Sequence, residues 1–426
     1  MPNYEELMKK CLYLAIKARG KTSPNPLVGC LVLDKNGQII SEGYHHKYGD
    51  IHAERDALLK ISDGAEKGGT LIVNLEPCSH WGKTPPCADL IIERGIKRVI
   101  IGCKDNNPKV NGGGIKKLTD AGIEVVCGVL ENDCRKINEI FFTDIEKHRT
   151  FIALKTATTL DGKIATENGD SKWITSEKSR QIARNLRSFY DAILTSSSTV
   201  IADNPNMEHK LKIILDNEFK TDFNLNIYKT GKVILVIGKK TDIPSNIPDN
   251  VDILQCPVID NKLDLNFILD KLYNMNIKSV FVEAGGKLLG EFIKQELADK
   301  IYQFIAPKIL NDNNGKSCFD GDIIQNMSKS KRLIVENIEK TASAFVLSAG
   351  CKRATSSHKL CISRYTGFSP LPVTLKSNVS VRRDVRKVSM SFCVVKKESA
   401  SWQNASNART TPGIYASCIT EKEFSG

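Results

Sequence analysis

A histidine, a glutamate and two cysteines are the residues of this sequence whose types and spacing most clearly suggest chemistry. His52 and Glu54 lie two residues apart, and Cys78 and Cys87 follow later in the chain. One imidazole and two thiolates would leave a tetrahedral zinc ion with one open position, where a bound water ionises near pH ~7. Glu54 would move protons without binding the metal. The predicted chemistry is attack of the activated water on a ring carbon that bears an amino group.

The spacing of these residues favours a catalytic zinc site over a structural one. A structural site is normally closed by a fourth cysteine or histidine, and His80 is the only nearby candidate. The pattern H-x-E followed by P-C and a second cysteine is the signature of zinc-dependent deaminases. Eight residues separate Cys78 from Cys87, where the short signature has two. Because this insertion carries Ser79, His80 and Lys83 beside the metal, it indicates a specialised substrate.

Composition and charge exclude several classes of protein. The chain has 426 residues and 41% hydrophobic residues, but no stretch approaches the ~20 apolar residues of a membrane helix. Nine of its twelve net positive charges lie in residues 351–426, so the rest lacks the clustered basic residues of a nucleic-acid-binding surface. We therefore expect neither a membrane nor a nucleic-acid partner. The apolar residues within 2–21 recur at helical spacing, unlike the unbroken apolar core of a signal peptide, so we expect a cytoplasmic protein. In that setting, the thirteen cysteines are predicted to be thiols or metal ligands.

The pattern of apolar residues predicts two α/β domains and a tail. Strands are predicted at 27–33, 38–44, 70–75, 98–101 and 124–127, with helices near 4–19, 53–61, 87–94, 112–121 and 132–147. A second set of strands is predicted at 151–156, 192–195, 211–215, 232–237 and 279–283. We expect domains at 1–147 and 150–350. The serine-rich, basic residues 351–426 show no sustained periodicity and are predicted to be disordered.

Longer motifs in the first domain carry a family resemblance. The segments SPNPLVG at 23–29, GYHHKYGDIHAE at 43–54 and PCSHWGKTPPC at 77–87 resemble the diaminohydroxyphosphoribosylaminopyrimidine deaminases of bifunctional riboflavin-pathway proteins. The resemblance covers about 350 residues and implies a cytidine-deaminase-like three-layer fold, with a pyrimidine ribotide as the substrate. It also implies that the substrate contacts six residues, which are Asn25, His45, His80, Lys83, Asp105 and Asn107.

The second domain resembles the reductase of the same family, which has a fold similar to dihydrofolate reductase. The motifs are KTATTLDGKIA at 155–165, GDSKWIT at 169–175, TVIADNP at 199–205 and VEAGGKLLG at 282–290. In the last motif a predicted strand runs into two glycines and a helix, an arrangement that lets backbone amides approach a pyrophosphate. The resemblance implies hydride transfer from NADPH to C1′ of the ribosylamino group, which opens the sugar to a ribityl chain.

Family roles carried over position by position assign two groups of residues in this domain. The group implied to hold NADPH consists of Ala157, Trp173, Thr199, Asp203, Gly285, Gly286, Lys287, Leu288, Leu289, Gly290 and Glu291. The group implied to contact the substrate consists of Ser171, Arg187, Met207, Lys210 and Glu283. Two positions depart from the family pattern, because Asn204 replaces a usual aspartate and Lys210 stands where a phosphate-binding arginine is usual. A lysine lacks the bidentate fork of arginine, so weaker substrate binding is one expectation.

Two other functions are compatible with parts of the sequence. A deaminase of free cytidine or of tRNA adenosine would use the same zinc chemistry, but it would not explain the long cysteine spacing or the second domain. A non-catalytic, zinc-stabilised binding protein would not need Glu54 beside an open metal position. The sequence is also compatible with a homo-oligomer, and it assigns no function to residues 351–426.

Overall fold

The structure is a computed structural model of the chain, and it describes residues 2–81, 85–108, 110–243, 245–322, 324–341 and 344–351. These residues belong to one compact unit, Met1–Ser357. Within the described ranges, no helix has both the length and the apolar character needed to cross a bilayer. The tail predicted from the sequence lies outside the described residues except for Cys351, which is the last residue of a strand.

The described residues up to 147, called the first half below, form a five-stranded mixed sheet. Its strands are β1 (Gly29–Leu33), β2 (Ile39–Tyr44), β3 (Thr70–Leu75), β4 (Arg98–Cys103) and β5 (Glu124–Cys127), in the order β2-β1-β3-β4-β5. β1 runs antiparallel to both β2 and β3, whereas β3, β4 and β5 are parallel. Each of the five predicted strands is present, with bounds that differ by at most a few residues.

Helices cover both faces of this sheet and complete a three-layer sandwich. They are α1 (Tyr4–Ile16), α2 (Ala53–Leu58), α3 (Cys87–Glu93), α4 (Gly113–Asp120), α5 (Glu131–Ile137) and α6 (Glu139–Lys147). Side chains alternate between the faces along each strand, so Cys30 and Val32 pack with α2, α3 and α4. Leu31 and Leu33 pack with α1, α5 and α6 on the other face. The three-layer fold expected from the resemblance is therefore confirmed.

The helix predicted over 132–147 is divided into α5 and α6 at Asn138. This residue leaves the helical conformation, with φ −106° and ψ 21°, and is 3% exposed. Its side chain accepts a hydrogen bond from the Leu27 backbone N–H at 2.7 Å and donates one to the Leu27 carbonyl at 2.9 Å. The helical periodicity of the sequence continues across residue 138. The break in the helix is explained by the hydrogen bonds between Asn138 and Leu27, which is distant in the sequence.

The described residues from 150 to 351, called the second half below, form a nine-stranded sheet and two small two-stranded sheets. The strands are β6 (Phe151–Thr158), β7 (Lys163–Ala165), β8 (Ala192–Ser196), β9 (Leu211–Leu215), β10 (Lys232–Gly238), β11 (Val251–Cys256), β12 (Val258–Ile259), β13 (Lys262–Leu263), β14 (Ser279–Glu283), β15 (Lys300–Ile305), β16 (Lys316–Ser317), β17 (Leu333–Lys340) and β18 (Phe345–Cys351). The large sheet has the order β11-β10-β9-β8-β14-β6-β15-β18-β17, and only its contacts with β18 are antiparallel. The five predicted strands form its centre.

In the described part of the chain, four α-helices pack on the two faces of the large sheet. They are α7 (Glu177–Arg187), α8 (Ser197–Asp203), α9 (Leu265–Asn274) and α10 (Gly286–Lys294), and short 3-10 helices occur at Asn226–Tyr228 and Met327–Lys329. α9 and α10 bury their apolar sides against the face that includes Leu154, Leu194 and Val282. α7 and α8 pack on the opposite face. This α/β arrangement agrees with the reductase-like fold that the resemblance implies.

Buried charges join the two halves within this unit. Lys300 on β15 is 6% exposed and pairs with Glu139 of α6 and with Glu336 of β17. Asp144 of α6 accepts hydrogen bonds from the Tyr273 hydroxyl at 2.8 Å and from the Lys278 ammonium at 3.0 Å. Since Glu139 and Asp144 of α6 pair with residues of the second half, α6 acts as a connection between the two sheets.

Replacing Asn138 tests how much its buried hydrogen bonds stabilise the fold. Asn138→Ala leaves the Leu27 N–H buried without its acceptor, so we expect the free energy of unfolding to fall by about 2–4 kcal/mol. Urea denaturation measures this change. Asn274→Ala is a matched control, because Asn274 is exposed near the end of α9, and it should change stability by less than about 0.5 kcal/mol. Equal effects of the two substitutions would contradict the role given to Asn138.

Candidate active sites

The strand directions of the first sheet bring four predicted site segments to one edge. Cys78 follows β3 and Asp105 follows β4, and these parallel strands end at the same side. Because β1 is antiparallel to both β2 and β3, the segment before β1, with Asn25, and the segment after β2, with His45, reach this side too. The edge therefore collects residues that are up to 80 positions apart in the sequence.

The three predicted metal ligands come together at this edge. The ligand atoms of His52, Cys78 and Cys87 all lie within 4.8 Å of one another. His52 Nδ1 is 3.5 Å from Cys78 Sγ and 3.3 Å from Cys87 Sγ. Zinc–nitrogen and zinc–sulfur bonds of about 2.0 and 2.3 Å at tetrahedral angles would place such atoms about 3.5 Å apart. The donor set and its spacing therefore fit a zinc ion bound by three protein ligands.

Burial and neighbouring groups shift the pKa values of the two thiols and of the Glu54 carboxyl. The hydrogen bond to Cys78, together with burial, raises the pKa of the Cys87 thiol. Hydrogen bonding from Cys87 lowers the pKa of the Cys78 thiol to about 4, and the Cys87 backbone N–H contributes at 3.3 Å. Glu54 lies in the first turn of α2, one residue past the first helical position, and is 4% exposed. Burial raises the pKa of the Glu54 carboxyl to about 7. A carboxyl with that pKa can both accept and release a proton near neutral pH.

Two of the predicted substrate contacts form a fixed pair beside His52. The Asn25 side-chain amide lies 3.2 Å from Nε2 of His45, and Nδ1 of His45 lies 3.0 Å from the Ile51 carbonyl. These contacts suit a neutral imidazole that donates from Nδ1 and accepts at Nε2. Burial lowers the pKa of His45, which agrees with the neutral form. The His45 and His52 rings meet edge to face, with centroids 5.9 Å apart.

The other predicted substrate contacts of this half surround the same edge. Asp105 is buried, and burial raises the pKa of its carboxyl to about 6. Its Oδ1 accepts the Asn107 backbone N–H at 2.8 Å, which orients the loop after β4. Nδ1 of His80 is buried and has no hydrogen-bond partner among the described residues. Lys83 lies outside the described residues.

Sequence reasoning did not predict the contacts of Glu76. Glu76 is 4% exposed, and its carboxylate accepts hydrogen bonds from backbone N–H groups of the segment that follows β4. The residue was visible in the sequence only as the first letter of E-P-C. No local signal relates it to a loop some thirty residues later, because the partners are backbone groups.

In the second half, a buried ion cluster occupies the expected substrate position. Arg187 donates from Nε and Nη2 to the two carboxylate oxygens of Glu283, at 2.5 and 3.2 Å. Lys155 Nζ lies 3.4 Å from the same carboxylate. Burial raises the pKa of Glu283, but Lys155 and Arg187 outweigh this effect and hold the pKa below its usual range. Lys155 was not predicted as a site residue, although it directly precedes Thr156 and Ala157 and its strand pairs it with Glu283.

The glycines at 285, 286 and 290 have different structural reasons. A β-carbon at Gly286 would lie 2.2 Å from the Ser317 carbonyl oxygen, and one at Gly290 would lie 1.6 Å from the Asp320 carbonyl oxygen. Both glycines are therefore required by close packing within the chain. A β-carbon at Gly285 would have no atom within 4 Å. Of the three, only Gly285 leaves open space for a ligand beside the start of α10.

The remaining predicted cofactor residues are spread along several elements. Ala157 is on β6, Thr199 and the exposed Asp203 are on α8, and Lys287 is exposed on α10. Leu289 packs in the core and Leu288 packs against it, so their side chains already have apolar partners. Glu291 Oε2 pairs with the Lys262 ammonium at 2.7 Å.

The predicted cofactor residue Trp173 is held in place by two cationic side chains. The indole is 63% exposed, and the Arg180 guanidinium lies over it at 4.1 Å from the ring centroid. The Lys308 ammonium donates to the Trp173 carbonyl at 2.6 Å. Ser171, two residues earlier, is half-buried in the same loop. The loop therefore presents a large aromatic surface whose position is determined by its neighbours.

Three positions near β9 lie in settings that the sequence did not indicate. Met207 is buried in the apolar cluster around Val200 and Tyr228, so its side chain serves packing. Lys210 is exposed one residue before β9, at the opposite end of that parallel strand from the edge that leads to Gly285. Asn204 ends α8 with φ +40°, and its side-chain oxygen accepts the Asn226 N–H at 2.8 Å. A left-handed position favours asparagine, which explains this departure from the family pattern.

Comparisons with known proteins assign a family to both halves. Residues 1–103 match the model of the cytidine and deoxycytidylate deaminase zinc-binding region, and residues 150–347 match that of the RibD C-terminal domain. The chain is 39% identical to the riboflavin biosynthesis protein RibD of Actinobacillus pleuropneumoniae over 78% of this chain and 92% of that protein. It is 42% identical to RibD of Aquifex aeolicus, over 78% and 94%.

Solved structures give the same result. A crystal structure of a diaminohydroxyphosphoribosylaminopyrimidine deaminase/5-amino-6-(5-phosphoribosylamino)uracil reductase from Thermotoga maritima is 39% identical, with a TM-score of 0.72 over 82% of this chain and 99% of that one. RibD of Acinetobacter baumannii is 29% identical, also with a TM-score of 0.72. The chain therefore belongs to the RibD family, the bifunctional enzymes of riboflavin biosynthesis that join a zinc-binding deaminase to a reductase.

Proposed function

We propose that this enzyme deaminates 2,5-diamino-6-(5-phosphoribosylamino)pyrimidin-4-one and then reduces the ribosyl group of the product to a ribityl chain with NADPH. The observation that carries the first step is the cluster of His52, Cys78 and Cys87 beside the buried Glu54. The names of the solved and curated relatives support the choice of substrate. In this proposal residues 1–147 are the deaminase domain and residues 150–350 are the reductase domain.

In the deaminase domain, the three ligands would hold a zinc ion through one nitrogen and two sulfur atoms. A bound zinc ion supplies an activated water to such sites. The Glu54 carboxylate would take one proton from the attacking water and pass it to the ring nitrogen. It would then take a second proton from the new hydroxyl group and pass it to the departing amino group, which leaves as ammonia. Asn25, His45, His80, Asp105 and Asn107 surround the ring, and Lys83 is assigned to it by the resemblance alone.

In the reductase domain, the ion cluster of Lys155, Arg187 and Glu283 would bind the ribotide. Two cations and one carboxylate leave net positive charge, which favours a phosphorylated substrate. NADPH supplies the hydride, so the protein contributes mainly the positioning of the two reacting carbons. The open space at Gly285 and the aromatic surface of Trp173 support cofactor binding next to this cluster. The residues Ser171, Met207 and Lys210 stay as predictions from the resemblance.

Replacing Glu54 separates proton transfer from metal binding. Glu54→Gln keeps the size of the side chain but removes its ability to carry a proton, so deamination should fall by about 10²–10⁴-fold while zinc stays bound. Ammonia release and metal analysis measure the two effects. Cys87→Ser is the comparison, because it removes a ligand and should lose zinc as well. Loss of stoichiometric zinc from Glu54→Gln would show that the carboxylate belongs to the metal site.

Removing zinc tests whether the two activities are independent. The candidate ligands pack with the first sheet, and the reductase candidates lie on the second sheet, which has its own core. After chelation, the protein should no longer release ammonia from the diaminopyrimidine ribotide, but it should still oxidise NADPH when given the deaminated ribotide. Mass spectrometry of the products checks both steps, and cytidine serves as the competing substrate. Deamination of cytidine alone would refute the proposed substrate.

The two adjacent glycines give a matched pair for the cofactor site. Gly286→Ala forces a β-carbon against the Ser317 carbonyl, so we expect a loss of about 1–3 kcal/mol in stability. Gly285→Ala has room within the chain and an ordinary φ of −71°, so it should leave stability unchanged and raise the KM for NADPH. Thermal unfolding and steady-state kinetics distinguish the two effects. An unchanged KM in Gly285→Ala would remove that position from the cofactor site.

A further inference from the structure

One buried carboxylate makes four hydrogen bonds to a single loop beside the deaminase site. Oε2 of Glu76 accepts the backbone N–H groups of Asp105 at 3.2 Å and Gly112 at 3.1 Å. Oε1 accepts those of Gly114 at 3.0 Å and Ile115 at 3.1 Å. Both ends of the segment 105–115 are therefore attached to the same side chain.

The loop depends on Glu76 because its own residues do not cap the helix that follows. α4 begins at Gly113, and no side chain of its N-cap residue, Gly112, is available to accept the first amides. A carboxylate at this end satisfies those amides and interacts favourably with the helix dipole. Hydrogen bonds from neutral N–H groups to a charged acceptor are also stronger than neutral ones.

The same contact fixes the loop against the segment that carries a candidate zinc ligand. Glu76 is two residues before Cys78. A β-carbon at Gly114 would lie 1.9 Å from the Pro77 carbonyl oxygen, and one at Gly113 would lie 2.6 Å from the Ser79 hydroxyl. The start of α4 therefore packs directly on residues 77–79, with no space between them. Any change in the position of the loop changes its distance from the metal edge.

We propose that Glu76 is a positioning residue of the deaminase, which holds Asp105 and Asn107 at the correct distance from the metal ligands so that they can bind the pyrimidine ring. This inference rests on the proposed deaminase function. Glu76 does not touch the reacting atoms. It acts through the backbone of the loop. Asp105 in turn positions Asn107, because its side chain accepts the Asn107 N–H at 2.8 Å.

The test compares wild type, Glu76→Gln and Glu76→Asp in the full-length, zinc-loaded protein. Glutamine keeps the shape but faces two of the four amides with an NH₂ group, so the KM for the diaminopyrimidine ribotide should rise about tenfold or more, with a smaller change in kcat. Glu76→Asp restores the charge and should recover part of the affinity. Zinc content and NADPH oxidation with the deaminated ribotide should stay at wild-type values, because the candidate zinc ligands and the reductase residues lie outside the loop.

Glu66→Gln is the matched control, because Glu66 is 1% exposed in the same half but pairs with Arg94, away from the loop. It should leave the KM of deamination unchanged. An unchanged KM in Glu76→Gln, an equal rise in Glu66→Gln, or loss of zinc from Glu76→Gln would each overturn the proposal. Inactive wild-type protein would instead refute the proposed function.

Hydrogen exchange provides a measurement that does not require the variants to fold. In the wild-type protein, the amides of Gly112, Gly114 and Ile115 should exchange slowly, because they are bonded to a buried acceptor. If Glu76→Gln is stable, exchange should increase in peptides that cover 105–115 and stay unchanged elsewhere in the sheet. Fast exchange of these amides in the wild type would overturn the proposal by itself.

Discussion

The pairing of β3 with an antiparallel strand on one side and a parallel strand on the other is the constraint on which the deaminase half depends. Antiparallel β1 places its beginning at the end of β3, and parallel β4 places its own end there. Connections that start or finish at this edge must therefore meet. Asn74 on β3 strengthens the arrangement, since its buried side chain accepts the Gly29 N–H at 2.7 Å and donates to the Leu27 carbonyl at 3.0 Å.

Three buried glutamates show how the surroundings decide what a carboxylate does. Glu54 lies beside His52 and two thiols, and burial raises its pKa to about 7. Glu76 is surrounded by backbone amides and holds a loop. Glu283 lies between two cations, which lower its pKa despite its burial. A buried charge without partners would be costly, so each of these residues has either a partner or a reason to take up a proton. In the functions that we propose, the same residue type serves proton transfer, positioning and ligand binding in one chain.

The two halves have separate main cores, and α6 lies between them. Separate apolar clusters lie under each sheet, and α6 contacts the second half both through ion pairs and through Ile140, which packs against the apolar cluster that contains Phe151 and Phe281. Polar contacts need precise partners, and α6 supplies them through Glu139 and Asp144. This arrangement gives each activity its own rigid scaffold, and it connects the two scaffolds at specific residues such as Lys300.

The sequence by itself determined the family, both folds, the central strands and the cluster at His52, Cys78 and Cys87. These features depend on local periodicity and on residue types that have few alternative uses, so they can be read along the chain. The tertiary structure alone decided the break at Asn138, the assignment of Lys155 to the ion cluster, the packing reason for Gly286 and the hydrogen bonds of Glu76 to the loop after β4. Each of these depends on a partner far away in the sequence, often a backbone group, and a backbone amide or carbonyl has the same chemistry at every position and leaves no trace in the sequence.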